Sequence, residues 1–213
     1  MKILYEDKYL IVASKPPGVA SQADPSGRPD MISLLREEGH GDVFCVHRLD
    51  TATAGVMVYA KTSQAAGKLS ASLSAEDCKK QYLAIVHSPD AGAGEMRDLL
   101  FHDRKKNKAY VVDRQRNGVK EALLDYETLK SEDGLSLVRV TLHTGRTHQI
   151  RVQFASRRMP LCGDGKYGSR DNMPLCLHCF SLAFTHPFTK KRLTFTDPPD
   201  SPWNGFEIKN LSL

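Results

Sequence analysis

The chain has 213 residues, 40% of them apolar and 26% charged, with a formal net charge of +5. That length supports one large domain or two small ones, the composition is globular rather than disordered or fibrous, and the modest positive balance permits an anionic partner without requiring one. Five scattered cysteines give no disulfide framework, and an N-terminus broken by Glu6, Asp7 and Lys8 is neither a signal peptide nor a membrane span of roughly 20 apolar residues, so a cytoplasmic, reduced protein is expected.

In chain order, ILYED and YLIVASK predict two short strands joined by a charged turn and ended by Pro16, Pro17 and Gly18. A loop rich in Pro, Gly, Ser and Asp runs from Ala20 to Asp30, and Asp30 is placed to N-cap a short helix, MISLLREEG, that stops at Gly39. VFCVH and VMVYAK are strand candidates on either side of HRLDTATAG. Ser63 is placed to cap a helix carrying Ala66, Leu69 and Leu73 at helical spacing. KKQYLAIVHS predicts a strand with Tyr82, Ala84 and Val86 on one face. AYVVD, EALLDYETL and LSLVRVTLHTG add strands, with a turn at Asn117–Gly118 and a stop at Gly145. Thr147 or His148 opens a helix, HQIRVQFASRR, in which Ile150 and Phe154 stand i, i+4 apart. HCFSLAFTH and RLTFTD are the last strands. Strands dominate, with few helices and no repeat or linker. The expected fold is α+β: a single domain, residues 1–213, with a large mixed, mainly antiparallel β-sheet flanked by helices and loops.

Four groups of residues carry possible chemistry. Asp50 either caps a turn by accepting backbone N–H bonds or lines a cleft, because TATAG removes side-chain bulk immediately after it. His47 and Arg48 add donors nearby. TGRTHQIRVQFA packs Arg146, His148, Gln149 and Arg151 into six residues at a strand-to-helix junction, where cations oppose the helix dipole. Arg151, next to Ile150, suits the edge of a buried face, from which it reaches a carboxylate elsewhere. A buried aspartate without a cation takes up a proton, whereas an arginine at contact lowers its pKa by about 1–3 units. The most basic stretch, FHDRKKNKAYVVDRQRNGVK, holds Arg104, Lys105, Lys106, Lys108, Arg114 and Arg116; it is a solvated hairpin or an arm that tracks a phosphate backbone. Cys176 and Cys179 have zinc-like spacing, with His178 and Cys162 as further donors. The second ligand pair is irregular and LCLHCFSLAF reads as a buried strand, so no metal site is expected.

Taken together, these segments resemble the RluA-type pseudouridine synthase family. ILYEDKYLIVASKPPGVASQ is similar to its opening strands and KP-G turn, HRLDTATAGVMVYAKT to its HRLD-x-x-T-x-G signature, and KKQYLAIV to its K-x-Y-x-A-x-V strand. LHTGRTHQIRVQFASRRMPLCGDGKYG and LCLHCFSLAFTHPFT resemble the remaining motifs, in order, along nearly the whole chain. The resemblance implies isomerisation of uridine to pseudouridine in a tRNA or ribosomal RNA stem-loop, with no cofactor and no metal. It makes Asp50 the catalytic carboxylate, as nucleophile or as base, with Arg151 as its ion-pair partner and Tyr82 stacked on the uracil. Arg48 contacts RNA near the vacated base position. His47, Arg146, His148 and the basic stretch complete the expected RNA contacts. A small N-terminal RNA-binding domain carried by many relatives is not expected, and Ala54 stands where the family often has Ser or Thr. A monomer is expected. The alternative is an inactive RNA-binding or RNA-folding protein of the same fold.

Overall fold

A computed structural model describes residues 1–23, 27–201 and 203–208. Part of the predicted Ala20–Asp30 loop, 24–26, lies outside them. Among the described residues there are eleven strands, three α-helices and one 3-10 turn, the α+β class the sequence pattern predicts. The chain divides into two compact units, residues 1–80 with 179–199, and 81–178 with 200–208 of the described chain.

In the first unit β1 (Lys2–Glu6) and β2 (Leu10–Lys15) pair antiparallel, as the charged turn predicts. Asp7 closes that turn by accepting the amides of Tyr9 and Leu10 at 2.7 and 2.9 Å. β2 pairs with β4 (Ala54–Ala60), whose residues from Gly55 onward are all buried. The predicted VFCVH strand shrinks to β3, Phe44–Cys45. The imidazole of His47 explains the difference: its Nε2 accepts the Val58 amide at 3.1 Å, so a side chain takes the bond that a longer β3 needs. Asp30 caps α1 (Met31–Glu37) through the amides of Ile32 and Ser33. The second helix, α2 (Ser63–Leu73), is capped by Thr62, one residue before the expected Ser63, because Thr62 keeps an extended backbone while Ser63 is already helical. Ala65, Leu69 and Leu73 face the core, with Ala66 at its margin, against Leu10, Val12, Val56 and Val58. Full burial of each Leu or Val side chain is worth roughly 1.5–3 kcal/mol. Leu182 and Phe184, from β10 (Leu177–Thr185), complete that core, and β11 (Arg192–Thr196) pairs with β10.

In the second unit β5 (Lys79–His87) buries every residue from Tyr82 to Val86, so both faces are covered rather than the single one the alternation implies. β6 (Ala93–Asp103) has no counterpart among the predicted strands; Glu95, Arg97 and Asp98 break its apolar pattern. Its presence moves the basic hairpin. β7 (Lys108–Val112) pairs with β6, and β6 pairs with β8 (Val119–Glu132). The β6–β7 hairpin turns at residues 104–107, where Asp103 accepts the amides of Lys105 and Lys106 and Asn107 takes φ +45°. The expected turn at Asn117–Gly118 is also present, closed by the Val119 amide on the Arg116 carbonyl at 3.0 Å, and it leads from β7 into β8. β9 (Leu135–Leu142) pairs with β8. The third helix, α3 (Gln149–Ser156), starts after His148, which sits in the left-handed region at φ +55° without a side-chain cap. Gln149 does that work: its Oε1 accepts the Arg146 amide at 3.0 Å and the Thr144 hydroxyl at 2.8 Å. None of the helices described is long and apolar enough to cross a membrane.

Candidate active site

The stretch around Asp50 is held by its neighbours' backbone. Ser21 Oγ accepts the Leu49 amide at 3.0 Å and donates to the Leu49 carbonyl at 2.8 Å. On the other side, the Thr51 carbonyl accepts the Gly18 amide at 2.8 Å and the Lys15 ammonium at 3.1 Å. The Asp50 carbonyl itself accepts the Thr53 amide at 2.9 Å, closing a tight turn. Asp50 is half-buried, and the residues before and after it are pinned by a buried serine and a fully buried lysine.

In the sequence Lys15 is legible only as the lysine of the KP-G turn; its place beside Asp50 is not. Its Nζ also donates to the carbonyls of Pro16 at 2.9 Å and Val19 at 2.7 Å. Burial pushes its pKa down to about 8, while the charge of Asp50 pulls it back up. This group gives opposite trends with pH. Between about 8 and 10.5 the unfolded chain binds the proton that the folded chain has given up, so its contribution to folding stability rises with pH. Over the same window the cation beside Asp50 disappears. We expect activity to fall through an apparent pKa near 8 while urea stability gains from this group, with the 13Cε resonance of Lys15 titrating at the same midpoint. A Lys15 resonance that stays charged to pH 10 rules this out.

The glycine that ends HRLDTATAG has a packing reason. Gly55 takes φ +116°, and a Cβ there would lie 2.1 Å from the Cys179 carbonyl oxygen of β10. Close backbone approach therefore requires glycine at this position. His47 is half-buried and neutral: burial, and then the nearby Lys80 charge, push its pKa down to about 3. With Nε2 accepting from Val58, its proton sits on Nδ1, the one group it has to offer a ligand. Arg48 is exposed.

The second unit carries its own cluster. Arg151, largely buried on α3, forms a fork on Asp164, Nε to Oδ2 and Nη2 to Oδ1, both at 2.7 Å. Its guanidinium also lies 5.1 Å from the Tyr167 ring centre. Tyr167 belongs to the 3-10 turn Gly165–Tyr167; its hydroxyl accepts the Ala109 amide at 2.8 Å and stands 2.9 Å from His148 Nδ1. Neither Asp164 nor Tyr167 stands out in the sequence, although both lie in the GDGKYG segment, and a buried Asp thirteen residues past an Arg has no periodic signal. Tyr82 is buried on β5. His148 is buried too, which places it inside this network rather than on a contact surface. Arg146 donates to the Glu121 carbonyl at 2.8 Å. Arg104, Lys105, Lys106, Arg114 and Arg116 are exposed; Arg116 covers the Phe101 ring at 5.0 Å, and half-buried Lys108 lies over Tyr167 and Tyr110.

Residues 9–156 match the family model for RNA pseudouridylate synthase. The chain is 31% identical to tRNA pseudouridine synthase C of Haemophilus influenzae, over 95% of each. It is 34% identical to ribosomal large subunit pseudouridine synthase C of Buchnera aphidicola, over 98% of this chain and 70% of that protein. Among solved structures, human RNA pseudouridylate synthase domain containing 4 superposes with a TM-score of 0.75 at 25% identity, over 94% of this chain and 89% of that one. On the match to the family model and these identities over nearly its whole length, the chain belongs to the RNA pseudouridylate synthase family, isomerases that act on RNA.

Proposed function

We propose that the protein converts a specific uridine of a tRNA or ribosomal RNA stem-loop to pseudouridine, with Asp50 as the catalytic carboxylate. The observation that carries this reading is the immobilised HRLD turn, in which buried Ser21 and Lys15 fix the backbone on both sides of one acid. A group held this firmly before substrate arrives needs little reorganisation in the transition state. The isomerisation balances without a cofactor. The bond from N1 to C1′ breaks, the uracil turns, C5 bonds to C1′, the C5 proton leaves and N1 gains one. Asp50 acts at the sugar, as nucleophile at C1′ or as base at C2′. Tyr82 stacks on the uracil, and Arg151 is the third catalytic residue.

A base paired within RNA must first leave its stack, at a cost of a few kcal/mol. Arg48 takes the space that the base vacates. The exposed hairpin residues Arg104, Lys105 and Lys106, with Arg114 and Arg116, hold phosphates around the target. Lys108, Arg146 and His47 add further RNA contacts, whereas buried His148 supports Tyr167 instead of touching RNA. The purified protein is expected to release tritium from C5-labelled uridine in total RNA stripped of pseudouridine. Binding without release on any cellular RNA favours the inactive RNA-binding reading instead.

Salt dependence tests the hairpin. Each cation that neutralises a phosphate adds about 0.7–0.9 to the slope of log K against log salt. Lys105→Glu with Lys106→Glu is expected to weaken RNA binding across sequences and to reduce that slope by about 1–2. An unchanged slope removes the hairpin from the interface. We also propose that the protein works in the cytoplasm as a monomer.

A further inference from the structure

The segment from Cys162 to Cys176 is a closed loop. Its base is tied by backbone bonds: the Cys176 amide donates to the Cys162 carbonyl at 2.9 Å, and Ile85 of β5 bonds both cysteines, accepting from Cys162 at 2.8 Å and donating to Cys176 at 3.3 Å. Gly163 takes φ +75°, and a Cβ there would lie 2.1 Å from the Pro174 carbonyl oxygen, so the two arms touch. Asp171 then folds back from the far part of the loop. Its Oδ2 accepts the Gly163 amide at 3.0 Å and the Ser169 hydroxyl at 2.7 Å, and lies 2.7 Å from Nε2 of His87, the last residue of β5.

One side-chain donor from each of His87, Cys162 and Asp171 lies within 4.8 Å of the other two. We propose that these three residues bind a thiophilic divalent cation of the zinc type. The donor set is one imidazole nitrogen, one sulfur and one carboxylate oxygen, a combination that suits zinc and not magnesium or calcium. Bond lengths of roughly 2.0–2.3 Å put tetrahedral ligands about 3.3–3.8 Å apart, so closing the triad from 4.8 Å needs a separation to shrink by about 1–1.5 Å at most. The sulfur is buried, while the His87 and Asp171 side chains are partly exposed and leave the ion a way in. The Gly163 and Ser169 bonds already orient the carboxylate, as outer-shell partners do around metal ligands. Cys162 gives up its thiol proton as the metal–sulfur bond forms, and water fills the fourth position. Cys176 stays a protonated neighbour.

The ion acts as a clip. The loop it closes contains Asp164 and Tyr167, the partners of Arg151, so metal stiffens the segment that positions them. It takes no part in breaking or forming the bonds of the isomerisation. The sequence signal points elsewhere, to Cys176 and Cys179; the structure instead gathers Cys162 with a histidine 75 positions earlier and an aspartate nine positions later.

The test is titration of the chelator-treated full chain with Zn2+ by calorimetry and with Co2+ by absorption. We expect one ion per chain, a thiolate-to-cobalt charge-transfer band, and a higher Tm with zinc. Cys162→Ser is expected to abolish the band, His87→Ala and Asp171→Asn to weaken binding at least about tenfold, and Cys78→Ser to change nothing. The absence of a thiolate band in the wild-type protein overturns the proposal. So does zinc affinity that is the same in His87→Ala, Asp171→Asn and wild type; these two partly exposed positions keep the test valid even where Cys162→Ser does not fold.

Discussion

Asp50→Asn is expected to leave a folded, RNA-binding protein that forms no measurable pseudouridine. The substitution keeps size and shape, removes the charge and exchanges one acceptor oxygen for an NH2 donor. The backbone bonds that define the turn run through Leu49, Thr51 and the Asp50 carbonyl, and an asparagine preserves all of them. Removing a group that forms or breaks bonds typically costs about 10³-fold or more, well beyond a positioning effect. Tritium release in single turnover at saturating enzyme separates chemistry from binding. Normal RNA affinity with release lowered by at least about 10³-fold is the expected pair of results. Release within about tenfold of wild type excludes Asp50 as the reacting acid.

Asp164→Asn is expected to be the most destabilising of the conservative substitutions. The carboxylate is 1% exposed and accepts two bonds of 2.7 Å from a guanidinium that is 9% exposed. Removing the carboxylate charge takes the two charge-assisted bonds of a buried pair away from the guanidinium and costs about 3–5 kcal/mol. For a chain of this size that is a Tm lower by about 10 °C. The converse also follows. Joining Arg151→Met to Asp164→Leu removes both charges, and is expected to recover most of the stability forfeited by either change alone, because an apolar pair avoids desolvation. Activity is not expected to return with it, since Arg151 is one of the proposed catalytic residues. Calorimetry of the two single variants and the double variant checks this; additive destabilisation, with no recovery, shows that the pair is worth more than the apolar packing that replaces it.

Much of the architecture is legible in the sequence because its signals are local. Asp30 caps α1 because an aspartate before an apolar-periodic run has amides to accept, and β1 and β2 pair because a charged turn separates two apolar runs. What escapes the sequence is non-local or masked. β6 is hidden by the charges that interrupt its apolar pattern, and with it goes the hairpin turn at residues 104–107. Thr62 and Ser63 differ as caps by one residue, since both side chains offer the same oxygen and only the backbone angle decides.

Among the candidate residues, the motifs name Asp50, Tyr82 and Arg151, while Lys15 near the first and Asp164 against the third emerge only in three dimensions. Lys15 lies 35 positions before Asp50 in the chain, and Asp164 thirteen after Arg151. No periodicity connects residues at such separations. A buried lysine also runs against composition rules, because lysine is almost never fully buried without a partner. Three backbone carbonyls and the charge of Asp50 are what allow it here.

The most direct measurement is a pseudouridine map of total RNA from cells that lack this protein, restored with either the wild-type chain or Asp50→Asn at equal abundance. The account expects one or a few stem-loop uridines in tRNA or ribosomal RNA to lose modification, to regain it with the wild-type chain, and to stay unmodified with the variant. Restoration of those positions by Asp50→Asn contradicts it.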